Sequence, residues 1–136
     1  MGRGDEQRKG QRAMNSSVQF IVRHVTDIDA ARAFYTEKMG FEVEAEQPGF
    51  VQFRAPGGAP FAISLASADP VAAELPGGQS EPLELWWYVD DADATYAELK
   101  DKGVEIVFPP KDAPFGRAFA VRDAAGEYCF ILQPPR

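Results

Sequence analysis

Residues 83 to 89 have the period of two of a strand, with large side chains in both alternating sets, and the apolar residues that follow take a helical spacing, which predicts a strand that runs directly into a helix. The helix begins after Asp91, whose carboxylate suits an N-cap, and ends at Gly103, a common residue at helix C-termini. Successive strand side chains point to opposite faces, so the strand presents two sets: Leu85, Trp87 and Val89, and Glu84, Trp86 and Tyr88. We expect the helix to cover the first set, which leaves the second set facing a binding cavity.

The same order of elements, strand, helix, strand, strand, strand, occurs twice along the chain. In the first copy the predicted strands are 18–25, 41–45, 50–55 and 61–66, and a helix capped by Asp27 or Thr26 runs to about Met39. In the second copy the strands are 83–89, 104–108, 117–122 and 127–133, and the helix is 92–102. This repeat predicts an α+β domain of two tandem βαβββ modules that form a curved mixed sheet around a cleft.

One domain is expected at residues 18–134, with module one at 18–67, a linker rich in proline and glycine at 68–82, and module two at 83–134. Residues 1–17 are polar and lack periodicity, so we interpret them as a disordered leader. No apolar run approaches the ~18 residues of a membrane span, and no signal-peptide pattern is present. These features favour a cytoplasmic protein that does not bind a membrane.

The charge balance argues against binding to nucleic acids. The chain has 14 basic and 21 acidic residues, and within residues 18–136 the counts are 10 and 19. A surface of this sign repels nucleic-acid phosphates and would favour a cationic ligand, although acidity is also a common source of solubility.

Repeated motifs in the two modules carry a family resemblance. Module one contains Val25-x-Asp27, Phe34-Tyr35 and Gly40-Phe41, and module two contains Val89-Asp90-Asp91, Leu99 and Gly103. A third motif follows near the C-terminus: Phe115-Gly116-Arg117-x-Phe119-x-Val121-x-Asp123-Ala124-Ala125-Gly126. Together these motifs resemble the glyoxalase/bleomycin resistance/dioxygenase group, the vicinal-oxygen-chelate superfamily. The resemblance implies the fold, whereas the activities of that superfamily are diverse.

The resemblance also implies where a divalent metal binds in the enzymes of the family. The corresponding positions here hold Phe20, Glu84 and Phe130, with a fourth near Ser64, and only Glu84 is a usual metal ligand. The chain has one histidine and one cysteine, whereas a typical transition-metal site uses at least two nitrogen or sulfur ligands or a facial His-His-carboxylate set. We therefore expect no metal and no cofactor.

Strand parity predicts an aromatic cleft that also holds an acid and an imidazole. This composition suits a small-molecule site, which is mostly apolar with a few polar groups, and aromatic faces bind cations or planar rings. The predicted ligand-binding residues are Phe20, Val22, His24, Ser64, Glu84, Trp86, Tyr88, Phe115, Arg117, Tyr128 and Phe130. Phe115 and Arg117 are expected in a loop over the rim, and Cys129 is expected in the core on the helix side.

Structural interpretations of the same residues stay open. The aromatic residues would then fill the core, His24 would have no role, and Glu84 would pair with Arg117 or Arg23. Arg23 belongs to the set of strand residues that face the helix, where an apolar residue is expected. A shift of one residue in the face assignment of the first strand therefore stays open.

Three functional hypotheses follow. The first is a metal-free small-molecule-binding protein of the glyoxalase/bleomycin-resistance type, a homodimer that sequesters an aromatic or cationic compound without chemistry. The second is a lyase, isomerase or dioxygenase of the same superfamily, with Glu84 as general base or metal ligand and His24 or Tyr88 as acid. The third is a dimeric interaction module with a collapsed cleft.

Overall fold

The structure, a computed structural model, describes residues 18–54 and 60–135. The predicted leader at 1–17 and the last residue of the predicted strand 50–55 lie outside the described residues. Contacts within the chain divide the described part into two units, one spanning Val18–Trp86 and the other beginning at Trp87.

The first unit is a mixed sheet with one helix. It contains β1 (Val18–Val25), α1 (Ile28–Ala33), β2 (Val43–Gln47), β3 (Phe50–Phe53), β4 (Phe61–Leu65) and the first residues of β5 (Leu83–Tyr88). The strand order is β2-β3-β4-β1-β5, with β1 parallel to β4 and the other assigned pairs antiparallel. Because β1 and β5 are neighbours, His24 and Glu84 lie on adjacent strands.

The first helix starts where the sequence predicts and then changes its hydrogen bonding. The Asp27 carboxylate accepts a hydrogen bond from the Ala30 N–H at 3.0 Å, which confirms Asp27 as the N-cap. After Ala33 the chain continues as a π-helical turn, Phe34–Lys38, in which the Met39 N–H donates to the Phe34 carbonyl at 3.1 Å. The predicted helix to about Met39 is therefore an α-helix followed by a wider turn.

The core of the first unit lies between α1 and the sheet. Val51, Phe53 and Ile63 are its buried residues. The Tyr35 ring from the π-helical turn lies 5.5 Å from the Phe53 ring and 5.1 Å from the Phe61 ring. Such close ring pairs anchor the helical segment to the sheet.

The segment predicted as a linker packs against the first unit. It forms three short 3₁₀ turns, Ala66–Ala68, Ala72–Glu74 and Pro76–Gly78. Two of its apolar side chains, Val71 and Leu75, are buried. Burial of these side chains holds the segment in place and fixes the position of Asp69 between them and β4.

The second unit contains α2 (Ala92–Asp101), β6 (Ile106–Ala113), β7 (Gly116–Arg122) and β8 (Tyr128–Gln133). The three strands are antiparallel in the order β8-β7-β6. Asp91 caps α2 as predicted, since its carboxylate accepts from the Ala94 N–H at 3.0 Å. The helix packs against all three strands, with the Tyr96 ring edge-on to Phe119 at 5.6 Å.

Strand β6 differs from its sequence prediction. The strand was expected to end before Pro109-Pro110, but it continues to Ala113. The pairing register shifts between Phe108 and Lys111, at the two prolines. Prolines are tolerated in this position because β6 pairs only with β7 in the described part of the chain, and an irregular edge strand does not need every N–H donor.

Gly116, at the start of β7, has no room for a side chain. Its φ is +137°, and a Cβ placed there would lie 2.3 Å from the carbonyl oxygen of Gln133. We expect Gly116→Ala to lower the free energy of unfolding by about 2–4 kcal/mol, because both the backbone and the β8 contact must shift. Urea denaturation measures this loss.

Gly126 supplies the control for that substitution. It also has a positive φ, +84°, but in the described part of the chain, apart from its sequence neighbours, no atom lies within 4 Å of the position that a Cβ would take, so Gly126→Ala should cost only about 1–2 kcal/mol. Equal losses in the two variants would show that the contact with Gln133 does not matter.

Among the described residues, no helix combines the length and the apolar character that crossing a membrane requires.

Candidate functional site

The two faces of β5 differ in burial. Glu84 and Trp86 are only 2% and 6% exposed, whereas Leu85 on the opposite face is 38% exposed and Trp87 is half-buried. The helical stripe of the following segment predicted that the opposite face, with Leu85 and Trp87, would be the core. The set expected to line a cavity is therefore the more buried one at these two positions.

Only one of the two carboxyl oxygens of Glu84 accepts a hydrogen bond from the described residues. The indole N–H of Trp86 donates a hydrogen bond to Glu84 Oε1 at 2.9 Å, which is possible because residues two apart in a strand share a face. The other oxygen, Oε2, is buried and accepts no hydrogen bond from the described part of the chain. An acceptor in this state is costly, because burial removes its water without replacing it.

The environment of Glu84 changes its acidity. Burial raises the pKa of the carboxyl to about 8, and the nearby charges of Asp69 and Glu81 act in the same direction, while the Trp86 hydrogen bond opposes the shift. Desolvation is the dominant cause because it disfavours the charged form. Glu84 therefore keeps its proton at neutral pH in the folded, ligand-free protein. Strongly shifted pKa values of this kind are common at functional sites.

His24 reaches the same place from β1. Its Nδ1 lies 2.8 Å from the carbonyl oxygen of Glu81 and 3.7 Å from Glu84 Oε2. Its Nε2 lies 3.3 Å from Asp69 Oδ2. The side chains of His24, Asp69 and Glu84 are 5%, 4% and 1% exposed, and we call these three residues the buried polar cluster.

Asp69 is held in the cluster by its own segment. The Ser80 hydroxyl donates to Asp69 Oδ2 at 2.7 Å, and the Val71 N–H donates to Oδ1 at 3.0 Å. Asp69 is not among the residues predicted from the sequence. Its only signal is an aspartate before a proline, which indicates a turn but not the distant side chain that the aspartate meets.

The other predicted residues of the first unit do not belong to the cluster. Ser64 on β4 is paired in register with His24 and is half-buried. Val22 is buried and Phe20 is half-buried. Phe20 and Val22 lie on the same face of β1 as His24, as predicted. Arg23, between Val22 and His24, lies on the other face and is exposed.

In the second unit, the predicted aromatic residues of β8 pack on each other. The rings of Tyr128 and Phe130 are edge-on at 6.1 Å, and Phe130 is fully buried. Tyr88 at the end of β5 is half-buried, and burial raises the pKa of its hydroxyl. Tyr128 and Phe130 lie on one face of β8, as predicted. Contact of these side chains and of Tyr88 with a ligand stays a prediction.

Arg117 differs from the expectation of a flexible rim residue. It is the second residue of β7, and only Phe115 lies in the turn before that strand. Its guanidinium donates to Asp93 at 3.1 Å and to Asp112 at 2.9 Å. These two carboxylates raise its pKa and hold it against α2 and β6.

A groove of about 550 Å³ opens in the second unit. Its walls include the residues predicted as core on the helix side, so α2 leaves part of that face uncovered. The Cys129 thiol in this wall has its pKa raised by burial, which keeps it protonated and unreactive. The apolar lining residues are Trp87, Leu99, Val104, Val121, Cys129 and Ile131.

Comparison with known proteins identifies the family. The family model of the Glyoxalase/Bleomycin resistance protein/Dioxygenase superfamily matches residues 17–128. The chain belongs to this superfamily. This confirms the resemblance inferred from the repeated motifs.

Individual proteins are similar to this chain over nearly their whole length. The uncharacterized protein YetH of Bacillus subtilis (strain 168) is 25% identical over 124 residues, which cover 88% of this chain and 99% of YetH. A superfamily member from Vibrio splendidus 12B01 has a TM-score of 0.62 at 18% identity and covers 88% of this chain and 99% of its own.

The solved structure of an enzyme is similar to this chain to a comparable degree. Methylmalonyl-CoA epimerase from Mycobacterium tuberculosis has a TM-score of 0.62 at 22% identity, over 88% of each chain. At these identities the solved structures show the fold alone. They confirm the predicted α+β class with two βαβββ modules.

Proposed function

We propose that the protein is a small-molecule-binding member of the superfamily and that the buried polar cluster recognises its ligand. The observation that carries the proposal is Glu84 Oε2, a buried acceptor without a hydrogen-bond donor in the described part of the chain. Leaving such an atom unsatisfied costs about 1–3 kcal/mol. A ligand that brings a cationic group displaces the Glu84 proton and recovers that energy on binding to the carboxylate.

The chemistry of the ligand follows from the same site and from the charge of the chain. The cluster contains the negative charge of Asp69, and the net charge of the protein is −7. Both features attract cations. The proposal therefore keeps sequestration of an aromatic or cationic compound as its first form, with binding and no reaction.

Tryptophan fluorescence tests the proposal, because Trp86 is tied to Glu84 by a hydrogen bond. Planar amines and planar neutral compounds are titrated into protein kept in chelator, on a Trp87→Phe background so that Trp86 alone reports. We expect saturable binding of a cationic member, weakened about 10-fold or more by Glu84→Gln, which corresponds to ~1.4 kcal/mol.

Glu37→Gln is the matched control for this titration, since Glu37 is an exposed glutamate on the π-helical turn. It should leave the affinity unchanged. Binding that Glu84→Gln does not weaken would place the ligand elsewhere, for example in the groove beside Trp87. No binding by any compound would favour the interaction module instead.

An enzyme is the second candidate, and the pKa of Glu84 favours it. A carboxyl with a pKa of about 8 is suited to move protons near neutral pH, where both of its forms are accessible. The enzyme would be a lyase or isomerase with Glu84 as base and His24 as a neighbouring acid. Exchange of a substrate C–H for deuterium in D₂O, lost in Glu84→Gln, would establish this function.

The proposal also keeps the homodimer and the cytoplasmic location predicted from the sequence. Large apolar side chains that are exposed in the described residues offer surface for a second copy to cover. They are Phe34, Met39, Leu83 and Leu85.

A further inference from the structure

The buried polar cluster has the donor set of a metal site. One atom each from His24, Asp69 and Glu84 lies within 4.8 Å of the others. One imidazole nitrogen with two carboxylate oxygens suits divalent transition metals such as Zn²⁺, Mn²⁺ and Fe²⁺. The set shares Glu84 with the positions where the family resemblance implied a metal, and its other two members, His24 and Asp69, are not among those positions.

The hydrogen bonding of His24 leaves one ring nitrogen available. The carbonyl oxygen of Glu81 can only accept, so in the 2.8 Å bond Nδ1 is the donor. In the neutral ring, Nε2 then carries a lone pair that faces Asp69 Oδ2 at 3.3 Å. Two acceptors at this distance repel unless a cation or a proton lies between them. Two ligand atoms on a tetrahedral Zn²⁺ are about 3.4 Å apart, which agrees with this spacing.

Glu84 gives a second, independent indication of a missing group. Its Oε2 lies on the His24 side of the carboxyl, 3.7 Å from Nδ1, and has no hydrogen-bond donor in the described residues. The side chain is only 1% exposed, so bulk water does not satisfy this oxygen. A ligand atom of Glu84 lies within 4.8 Å of the ligand atoms of His24 and Asp69, so a metal ion in the cluster would bind Glu84 after a change in its side-chain position.

Hydrogen bonds with surrounding groups orient the three side chains, as similar hydrogen bonds orient the ligands in known metal sites. His24 donates its other nitrogen to a backbone carbonyl, and Asp69 accepts from Ser80 and Val71. Glu84 accepts from Trp86. A metal-binding histidine almost always makes such a bond, and ligating carboxylates are in turn hydrogen-bonded.

We infer that His24 Nε2, Asp69 and Glu84 form a binding site for one divalent transition metal ion. This departs from the expectation of no metal, which considered Phe20 and Phe130 and did not include Asp69. Three protein ligands leave a coordination position open. The ion would supply Lewis acidity there, while Trp86 and Ser80 keep the ligating carboxylates in place.

Titration calorimetry with Zn²⁺ and chelator-treated full-length protein tests the inference. We expect one ion per chain, and the single histidine and single cysteine limit competing sites. Asp69→Asn should weaken the affinity at least ~30-fold, since even residues that only support a ligand change affinity 10–100-fold. Asp101→Asn, at an exposed aspartate that ends α2, should not change it.

A second readout needs no variant. The ring signals of His24 are unambiguous because the chain has no other histidine. On adding Zn²⁺, Nε2 should take the ¹⁵N shift of a metal-bound nitrogen while Nδ1 stays protonated. Absence of any change at Nε2, or equal affinity in wild type and Asp69→Asn, overturns the inference. The ligand titrations are made in chelator, so the proposed function stands or fails separately.

Discussion

Replacing Glu84 by Gln is expected to make the metal-free protein increasingly more stable than the wild type as the pH rises. Between about pH 4.5 and pH 9, the difference in unfolding free energy should grow by about 3–5 kcal/mol in favour of the variant. The cause is the pKa of Glu84, which burial raises to about 8 from an ordinary value of 4.5. Urea denaturation of both proteins in chelator across this range measures the difference.

The direction follows from proton binding in the two states. Above pH 4.5 the unfolded chain releases the Glu84 proton, while the folded chain keeps it until about pH 8. The folded state then binds more protons than the unfolded state, so stability falls as the pH rises through this window and levels off above it. Gln is neutral at every pH and its carbonyl oxygen can still accept the Trp86 hydrogen bond.

The control for this experiment is Glu37→Gln, which changes an exposed carboxylate. Its stability should follow that of the wild type at every pH. A constant difference between wild type and Glu84→Gln would mean that the Glu84 carboxyl ionises normally in the folded protein.

Trp86→Ala is expected to destabilise the protein by about 3–5 kcal/mol, as large-to-small changes at buried positions do. Trp86 is 6% exposed and donates the only hydrogen bond that the described residues give to the Glu84 carboxyl. Trp87→Ala should cost less, about 1–2 kcal/mol, because Trp87 is half-buried at the wall of a groove. Thermal or urea unfolding compares the two variants directly.

This order reverses the expectation from the sequence, where Trp87 was assigned to the core. A larger loss in Trp87→Ala would restore that assignment. Phenylalanine variants at both positions serve as controls, because they keep most of the apolar volume and remove the indole N–H. Trp86→Phe should then retain more stability than Trp86→Ala but lose the bond to Glu84.

Local signals in the sequence were sufficient for most of the fold. The caps at Asp27 and Asp91 and the repeat of elements rest on chemistry within a few residues, and the structure confirms them. Strand β6 was predicted too short because Pro109-Pro110 was interpreted as a stop. The edge position that tolerates these prolines is a property of the sheet and not of the local sequence.

The candidate site was predicted only in part, and the reason is physical. Parity identified Glu84, Trp86 and His24 as facing away from the residues assigned to the helix side, and the structure brings these three together. The alternation along β5 does not show which of its two faces is more buried. The burial of Trp86 could therefore not be predicted from the sequence. Asp69 arrives through a tertiary contact from a segment without periodicity, so no local pattern predicts it.

The indole ¹H–¹⁵N resonance of Trp86, followed from about pH 5 to pH 9.5 in metal-free protein, tests the central claim that Glu84 is a buried carboxyl tethered to Trp86. Because this N–H binds Glu84 Oε1 at 2.9 Å, its shift should titrate with a midpoint of about 8. The change should disappear in Glu84→Gln, and the Trp87 resonance should stay nearly constant. A Trp86 resonance that does not titrate in this range in the wild type would contradict the account of the site.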